Sequence, residues 1–380
     1  MIKNQDIICL SFSDWERELV SNRFHILTRF TKNNNRVFLL ERQIYPLWRD
    51  KYRFFRWFSI RKKDGIYLIT PAFYLPLNIF NKVVYLLYLK FVITKFKIKK
   101  PIFWFYNYRL GFILDYFRSS LACYHCTELY SQNWRDKGQK NPKKVVNIKK
   151  QEKTLAQKVD IVFAVSEYLS QLLRKYNQNT FTTLNAVDYD LYCKSQKPSR
   201  YKFGRKPVLG YIGNIADGKT NFVLLYDIAK AFPGCRLVLV GPVNSRNPYL
   251  GKLRKEKNVV FLGKHTVTEL PELMRNFTVC LMPYIFDKWM LKAGQPLKLQ
   301  EYLASGKPIV SVPFESLREY KRLVYVAKTS REFILKIKSA LKEKDDNLKW
   351  NRIKIAKNNT WDKRFQFMNE VMVKALNLKR

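Results

Sequence analysis

The chain has 380 residues, a length that corresponds to about two or three domains of typical size. Hydrophobic residues make up 47% of it and aromatic residues 15%, which excludes a disordered, collagen-like or low-complexity chain. The chain has 71 lysine and arginine residues and 30 acidic residues, which gives a net charge of +41. This charge excludes the class of neutral cytosolic proteins that have no anionic partner nearby. This excess of positive charge favours a membrane surface or a phosphorylated substrate over nucleic acid as the binding partner. Compositional drift is the alternative explanation of the excess.

The first half of the chain alternates short apolar runs with helical patterns. Interleaved strands and helices predict βαβ units and a mainly parallel sheet. Helices are predicted near 15–32, 78–97, 145–158 and 167–176. Strands are predicted at Asp6–Ser11, Arg36–Glu41, Ile66–Thr70, Ile102–Tyr106, Leu121–Cys126, Ile161–Val165 and Phe181–Leu184.

The same alternation restarts after a polar, basic stretch that is bracketed by Pro198 and Pro207. Strands are predicted at Val208–Ile212, Arg236–Val240, Val259–Leu262, Thr278–Met282 and Ile309–Val312. Helices are predicted at 220–231, 268–276, 296–304 and 346–378. We therefore expect an N-terminal domain over 1–192, a linker over 193–207, a second α/β domain over 208–355 and a C-terminal helix over 356–380 that could pack back on the first domain.

A loop after the first strand of the second domain is a candidate phosphate site. The strand ends at Gly213, a loop with Lys219 follows, and a helix begins at about Thr220. This geometry presents backbone N–H groups to a phosphate, and Gly213 lets a ligand approach the backbone closely. The alternative interpretation of these residues is an ordinary turn between a strand and a helix.

A second candidate lies at the start of the helix predicted at 296–304. Lys298 and Glu301 are three residues apart and therefore share one face of this helix near its N-terminus. The cation could neutralise a diphosphate, and the carboxylate could accept hydrogen bonds from a ribose diol. The alternative is a surface ion pair.

The segment Pro296-Leu-Lys-Leu-Gln-Glu-Tyr-Leu-Ala-Ser-Gly-Lys-Pro-Ile-Val310 resembles the donor-site motif of GT-B glycosyltransferases, close to family 4. Further segments resemble other parts of that family more loosely: Gly210–Asp217, Leu237–Pro242, Cys280–Tyr284, Arg23–Phe30, Arg36–Glu41, Cys123–Tyr130, Asp160–Ser166 and Asn185–Asp188.

The resemblance implies an α/β chain of the GT-B class, with two Rossmann-like α/β domains that face a central cleft. The C-terminal domain would bind a nucleotide-diphosphate-sugar and the N-terminal domain the acceptor. Glu301 would bind the ribose, and Lys298 and Gly213, together with Asn214 or Lys219, would bind the diphosphate. Such hexosyltransferase-type enzymes work without a metal ion, so we expect neither a metal nor another cofactor.

The chain also departs from the family pattern. Family 4 enzymes often carry Glu-x7-Glu; the second glutamate corresponds to Glu301, but Ala293 stands at the first position. In the N-terminal half, an acidic element is reduced to Glu128, and His125 stands where the family often has an aspartate. His125 and Glu128 are the candidate catalytic residues, and a packed core histidine is the alternative for His125.

Aromatic and basic residues are interleaved over 45–63 and again over 73–100. This pattern suits the headgroup layer of an anionic membrane, where the first stretch would form a membrane or acceptor surface. A packed helix with a solvated basic face is the alternative for these stretches. The surface residues singled out are Trp48, Arg49, Arg53, Arg56 and Trp57.

These expectations combine into one function. The chain would be a glycosyltransferase of bacterial cell-envelope polysaccharide biosynthesis, cytoplasmic and peripheral on the inner face of the membrane. It would act on a glycan or lipid-linked acceptor, and nucleic acid is not an expected partner. No signal peptide and no run of about 18 apolar residues is visible. The alternative is an inert basic protein that binds nucleic acid or another anionic polymer.

Overall fold

The structure, a computed structural model, describes residues 1–13, 15, 21–41, 59–70, 79–132, 142–193 and 199–379. The chain divides into two compact units. The first comprises Met1–Thr127, Pro142–Leu184 and Arg364–Arg380, and the second comprises Glu128–Asn141 and Asn185–Lys363.

An eight-stranded sheet forms the centre of the first unit. Its strands are β1 (Asp6–Ser13), β2 (Arg36–Glu41), β3 (Ile60–Lys63), β4 (Ile66–Ile69), β5 (Ile102–Phe105), β6 (Leu121–Cys126), β7 (Ile161–Ala164) and β8 (Thr180–Thr182). Their order is β3-β4-β2-β1-β5-β6-β7-β8, and every pair is parallel except β3 with β4. The inner strands β5, β6 and β7 are buried at every position, as expected for a parallel sheet covered on both faces.

The helices that cover this sheet are α1 (Asn22–Lys32), α2 (Ile79–Lys95), α3 (Pro142–Lys158) and α4 (Glu167–Arg174), with short 3₁₀ helices at Tyr108–Asp115 and, in the second unit, Tyr130–Gln132. The strand order reverses between β1 and β5. In open α/β sheets, ligands bind at the carboxyl ends of the strands where the order reverses.

The second unit is an α/β unit of the same type with a smaller main sheet. Its strands are β9 (Val208–Ile212), β10 (Ile215–Ala216), β11 (Arg236–Val240), β12 (Val243–Asn244), β13 (Val259–Gly263), β14 (Val279–Met282), β15 (Ile309–Ser311) and β16 (Tyr325–Val326). Six of them form a parallel sheet in the order β13-β11-β9-β14-β15-β16, while β10 and β12 pair separately. The mixed α/β architecture predicted from the sequence is confirmed.

The helices of this unit are α5 (Tyr189–Cys193), α6 (Phe222–Ala231), α7 (Pro248–Lys255), α8 (Leu270–Arg275), α9 (Lys288–Ala293), α10 (Leu297–Ala304), α11 (Ser330–Leu341) and α12 (Asp346–Asn358), with a 3₁₀ helix at Glu315–Tyr320. They enclose a core of buried aliphatic and aromatic side chains around the six-stranded sheet. Gly210 in β9 is needed for this packing, because a Cβ there would overlap the ring of Phe277.

The C-terminal segment predicted as one helical stretch is two helices, α12 and α13 (Trp361–Leu378). The break has a backbone cause. The N–H of Val187 donates to the carbonyl of Asn359, and the N–H of Trp361 donates to the carbonyl of Val187, so Asn359 and Thr360 pair with another segment instead of continuing the helix. Most of α13 belongs to the first unit, where the ring of Phe365 packs edge-on against Phe30.

The stretch predicted as a linker is partly packed on the second unit. The backbone N–H of Arg200 donates to Glu272, and its guanidinium pairs with Glu269. Residues 194–198 lie outside the described residues. Among the described residues, no helix has the length and apolar character needed to cross a membrane.

Candidate functional site

The strand order of the second unit marks the candidate site. It reverses between β9 and β14, so the carboxyl ends of these two strands form the crevice where ligands of such sheets bind. Gly213 follows β9 directly, and Pro283 and Tyr284 follow β14. The candidate residues after β9 therefore lie where the topology places a ligand.

Two glycines bring the backbone close together at this edge. The N–H of Gly213 donates to the carbonyl of Val240 at the end of β11, at 2.9 Å. Gly241 follows with a φ of +136°, a conformation that side chains rarely allow. A Cβ at Gly241 would overlap the carbonyl oxygen of Gly213, so the path of the Gly213 loop depends on the missing side chain.

The loop after Gly213 is held by its own hydrogen bonds. The carbonyl of Asn214 accepts hydrogen bonds from the hydroxyls of Tyr211 and Thr220. The carbonyl of Lys219 accepts the N–H of Ile285 at 3.0 Å, which ties the loop to the segment after β14. The ammonium of Lys219 lies 5.8 Å from the centre of the Tyr284 ring. The loop thus places one cation between the ends of β9 and β14.

A pocket of about 430 Å³ opens beside this loop. Its walls include Asp217, Asn221, Arg246 and Ile285. Lys298 and Glu301 do not line this pocket, which therefore lies at the loop after Gly213.

Helix α10 carries the second candidate pair. Pro296 occupies its N-cap position and caps none of the first N–H groups of the helix with its side chain. The ammonium of Lys298 lies 2.6 Å from a carboxylate oxygen of Glu301, and both side chains are largely buried. A buried pair at a helix N-terminus is well placed to bind an anion and a diol together.

Tyr302 joins this helix to the end of β9. Its hydroxyl accepts the backbone N–H of Ile212 at 2.8 Å and is fully buried. Ile212 precedes Gly213 and Tyr302 follows Glu301, so one hydrogen bond brings the two candidate segments together. The structure therefore places the start of the Gly213 loop next to the helix that carries Lys298 and Glu301.

Three further residues beside this pair were not singled out from the sequence. Asn185 donates its backbone N–H to the Oε1 of Gln295 and its side-chain amide to the Gln295 carbonyl. The Nε2 of Gln295 is buried without a hydrogen-bond partner among the described residues. Burial and the carboxylate of Glu301 raise the pKa of the Tyr192 hydroxyl well above its ordinary value. Only Asn185 had a sequence signal, because it opens the Asn-Ala-Val-Asp segment.

Ala293, the departure from Glu-x7-Glu, is the last residue of α9. It is buried, with 5% of its surface exposed. The carbonyl of the next residue, Gly294, accepts a hydrogen bond from the hydroxyl of Ser316. Position 293 therefore supplies a methyl group, and no carboxylate, beside the start of α10.

In the first unit, His125 lies within β6 among aromatic rings. Its imidazole stacks on Tyr106 and meets Trp104 edge-on, and only 2% of the residue is exposed. Burial, with a smaller contribution from the charge of Arg23, lowers the pKa of His125 to about 3. The ring is therefore neutral at neutral pH. Neither ring nitrogen has a hydrogen-bond partner among the described residues.

Glu128 follows β6 and is half-buried. The catalytic roles of His125 and Glu128 stay predictions. The predicted membrane or acceptor surface lies outside the described residues. That surface comprises Trp48, Arg49, Arg53, Arg56 and Trp57.

Metal ligands are not grouped in the part of the chain that the structure describes, where no three His, Cys, Asp or Glu side chains come together. Lys219 and Lys298 each place an ammonium group near the candidate site.

Sequence comparison relates part of the chain to known glycosyltransferases. Residues 206–343 match the family described as glycosyl transferases group 1. The chain is also 30% identical over 183 residues to a putative teichuronic acid biosynthesis glycosyltransferase, TuaH, of Bacillus subtilis (strain 168). That match covers 46% of each protein, so the chain spans about half the length of the curated relative it matches.

Solved structures match nearly the whole chain. The sucrose-phosphate synthase of Thermosynechococcus elongatus superimposes with a TM-score of 0.74 at 14% identity, over 98% of this chain and all of that one. Anabaena Alr3699/HepE, solved with UDP and glucose, superimposes with a TM-score of 0.68 at 14% identity, over 98% of this chain and 100% of that one. WaaG, a glycosyltransferase involved in lipopolysaccharide biosynthesis, superimposes with a TM-score of 0.65 at 12% identity, over 96% of this chain and 99% of that one. The chain thus has the fold of the GT-B glycosyltransferases, and its residues 206–343 are similar to the group 1 glycosyl transferases.

Proposed function

We propose that this protein is a glycosyltransferase that moves a sugar from a nucleotide-diphosphate-sugar to a membrane-associated glycan or lipid-linked acceptor in bacterial cell-envelope polysaccharide biosynthesis. The observation that carries the proposal is the Lys298–Glu301 pair at the start of α10, joined to the end of β9 by Tyr302. The match of 206–343 to a glycosyltransferase family and the GT-B fold support it.

The donor would lie along the carboxyl edge of the second unit. Glu301 would accept hydrogen bonds from the ribose hydroxyls, and the ammonium of Lys298 would neutralise the diphosphate. Gly213 would let the phosphates approach the backbone, with Asn214 and Lys219 beside them. The HepE structures were solved with UDP and with UDP-glucose, which supports a nucleotide sugar as the donor class.

The reaction forms a bond between an acceptor hydroxyl oxygen and the anomeric carbon while the bond from that carbon to the diphosphate breaks. The electron pair leaves with the nucleoside diphosphate. Stabilising this developing charge is the main requirement, and Lys298, Lys219 and the N-terminus of α10 would provide it without a metal ion. The acceptor proton would pass to a base, the role for which the sequence offers His125 and Glu128. Glu128 is the more exposed of the two, whereas burial makes the imidazole of His125 a weak base.

The acceptor assignment rests on relatives. The Bacillus protein is described as a putative glycosyltransferase of teichuronic acid biosynthesis, and WaaG as a glycosyltransferase involved in lipopolysaccharide biosynthesis. Teichuronic acid and lipopolysaccharide are both cell-envelope polymers. A net charge of +41 suits an enzyme that works at an anionic surface. We place the protein on the cytoplasmic, inner face of the membrane, as a peripheral protein.

A transfer assay tests the proposal. The purified chain is incubated with bacterial envelope membranes and a panel of radiolabelled nucleotide sugars, with and without a chelator, and label is followed into lipid and polymer. We expect one donor to be used with or without the chelator, and Glu301→Ala to abolish transfer. Asp346→Ala is the control, because Asp346 forms an exposed i,i+3 pair with Lys349. Unchanged turnover by Glu301→Ala would remove the donor-site assignment.

A further inference from the structure

Helix α2 of the first unit exposes an apolar stripe. Val83, Leu87 and Phe91 are 47%, 62% and 50% exposed. They are spaced four residues apart, so they lie one above another on the outward face of this 17-residue helix. Three large side chains in one row on the surface are more than the scattered apolar residues of an ordinary surface.

The opposite face of α2 is packed. Tyr85, Tyr88, Leu89 and Val92 are each 5% exposed or less. The ring of Tyr88 stacks with that of Phe91 at 6.2 Å between centroids. The stripe is therefore the outer side of a firmly attached helix.

Lysines surround the stripe, and no acidic residue occurs between positions 79 and 100. The ammonium of Lys95 lies 5.6 Å from the centre of the Phe91 ring, and that of Lys82 lies 5.3 Å from the ring of Phe112. Long lysine side chains can cover apolar surface while their charges reach outward. The exposed lysines of this segment are Lys82, Lys90, Lys95, Lys97, Lys99 and Lys100.

We propose that the outward face of α2 docks on an anionic lipid bilayer, with Leu87 and Phe91 inserted at the level of the acyl-chain boundary and the surrounding lysines on the headgroups. An apolar row with cations around it and no anion matches such a surface in shape and in charge. The helix would lie in the plane of the membrane. This proposal rests on the proposed function and adds to it the surface through which the protein would reach a membrane-bound acceptor.

Charge favours lipid over a second copy of the chain. In a symmetric dimer through this face, the lysines of one helix would meet those of the other. The whole chain, at +41, would repel its own copy in the same way. An anionic bilayer has the complementary charge and an apolar interior for the stripe.

Vesicle flotation tests the proposal with the full chain. Phosphatidylglycerol–phosphatidylcholine vesicles are compared with phosphatidylcholine vesicles for wild type and for Leu87→Gln/Phe91→Gln. We expect wild type to bind the anionic vesicles, less at high salt, and the double variant to partition about tenfold more weakly or worse. Leu335→Gln is the control, because Leu335 on α11 is 52% exposed in the second unit.

Three results would overturn the docking assignment. They are no binding of wild type to anionic vesicles, equal binding by the double variant, and a wild-type dimer in solution that the double variant dissociates. Nucleotide binding is measured on the same samples. If the double variant binds nucleotide like wild type, it is folded and its donor site is intact, so loss of docking and failure of the donor site are told apart.

Discussion

The hydroxyl oxygen of Tyr302 lies 2.8 Å from the backbone nitrogen of Ile212 and accepts its N–H. This bond connects the residue after Glu301 with the residue before Gly213. Gly213, a candidate for the diphosphate, and Glu301, the candidate for the ribose, are far apart in sequence, and this contact joins the segments that carry them. Tyr302 acts here as a positioning residue.

Replacing Tyr302 with phenylalanine would leave the N–H of Ile212 buried without an acceptor. We expect the free energy of unfolding to fall by about 1–3 kcal/mol. Because α10 would lose its link to β9, nucleotide affinity should also weaken severalfold. Tyr325→Phe, which removes a hydroxyl from the edge strand β16, should leave affinity unchanged. Denaturant unfolding and calorimetry measure the two effects, and unaltered affinity in Tyr302→Phe would contradict the positioning role.

Gly241→Ala should damage the site through the backbone. The new Cβ would overlap the carbonyl oxygen of Gly213, and the φ of +136° would strain any side chain. We expect nucleotide binding to be lost or strongly weakened. Gly234→Ala is the control, because a Cβ there meets no atom within 4 Å. Equal nucleotide affinity in both variants would show that the Gly213 loop does not need this approach.

In the second unit, a buried ion pair joins α12 to the segment after α11. Arg352 is fully buried, and its guanidinium binds both carboxylate oxygens of Glu343. It also donates hydrogen bonds to the carbonyl of Leu323 and to that of Gly306, which lies just after α10. Glu343→Ala leaves this charge without its partner and should cost about 3–5 kcal/mol of unfolding free energy.

The double variant Arg352→Met/Glu343→Leu is the comparison for this pair. It buries no unpaired charge, so it should be more stable than Glu343→Ala alone. A single variant as stable as wild type in denaturant unfolding would show that the pair is dispensable.

His125 predicts a pH dependence of stability. Burial lowers its pKa to about 3 in the folded chain, whereas the unfolded chain has the ordinary value of 6.5. Between these values the unfolded chain binds the extra proton, so stability is complete above pH 6.5 and falls as the pH drops toward 3. From pH 7 to pH 5, wild type should lose about 2 kcal/mol that His125→Phe does not lose. Equal losses in both proteins would contradict a neutral buried imidazole, and transfer by His125→Phe tests the predicted catalytic role.

Much of the fold follows from local patterns. Apolar runs such as Leu121–Cys126 and Val208–Ile212 are buried on both faces, and their boundaries agree with the sequence prediction. The sequence missed β3 (Ile60–Lys63) because it is a basic edge strand with no apolar run. It also missed the two-residue strands β10 and β12, which are too short for any periodicity.

The candidate site was predictable where residues are close in sequence. Lys298 and Glu301 share a helix turn, so their spacing alone placed them together. The contacts of Tyr302 with Ile212 and of Asn185 with Gln295 join residues 90 and 110 positions apart. Such pairs depend on strand order, which one sequence does not reveal.

Isothermal titration of the purified chain with UDP, GDP, ADP and CMP tests the central claim most directly. We expect saturable binding of one nucleotide, a loss of about 10- to 150-fold in affinity in Glu301→Ala and in Lys298→Ala, and no loss in Asp346→Ala. No binding of any nucleotide, or equal binding in all four proteins, would contradict a donor site at the start of α10.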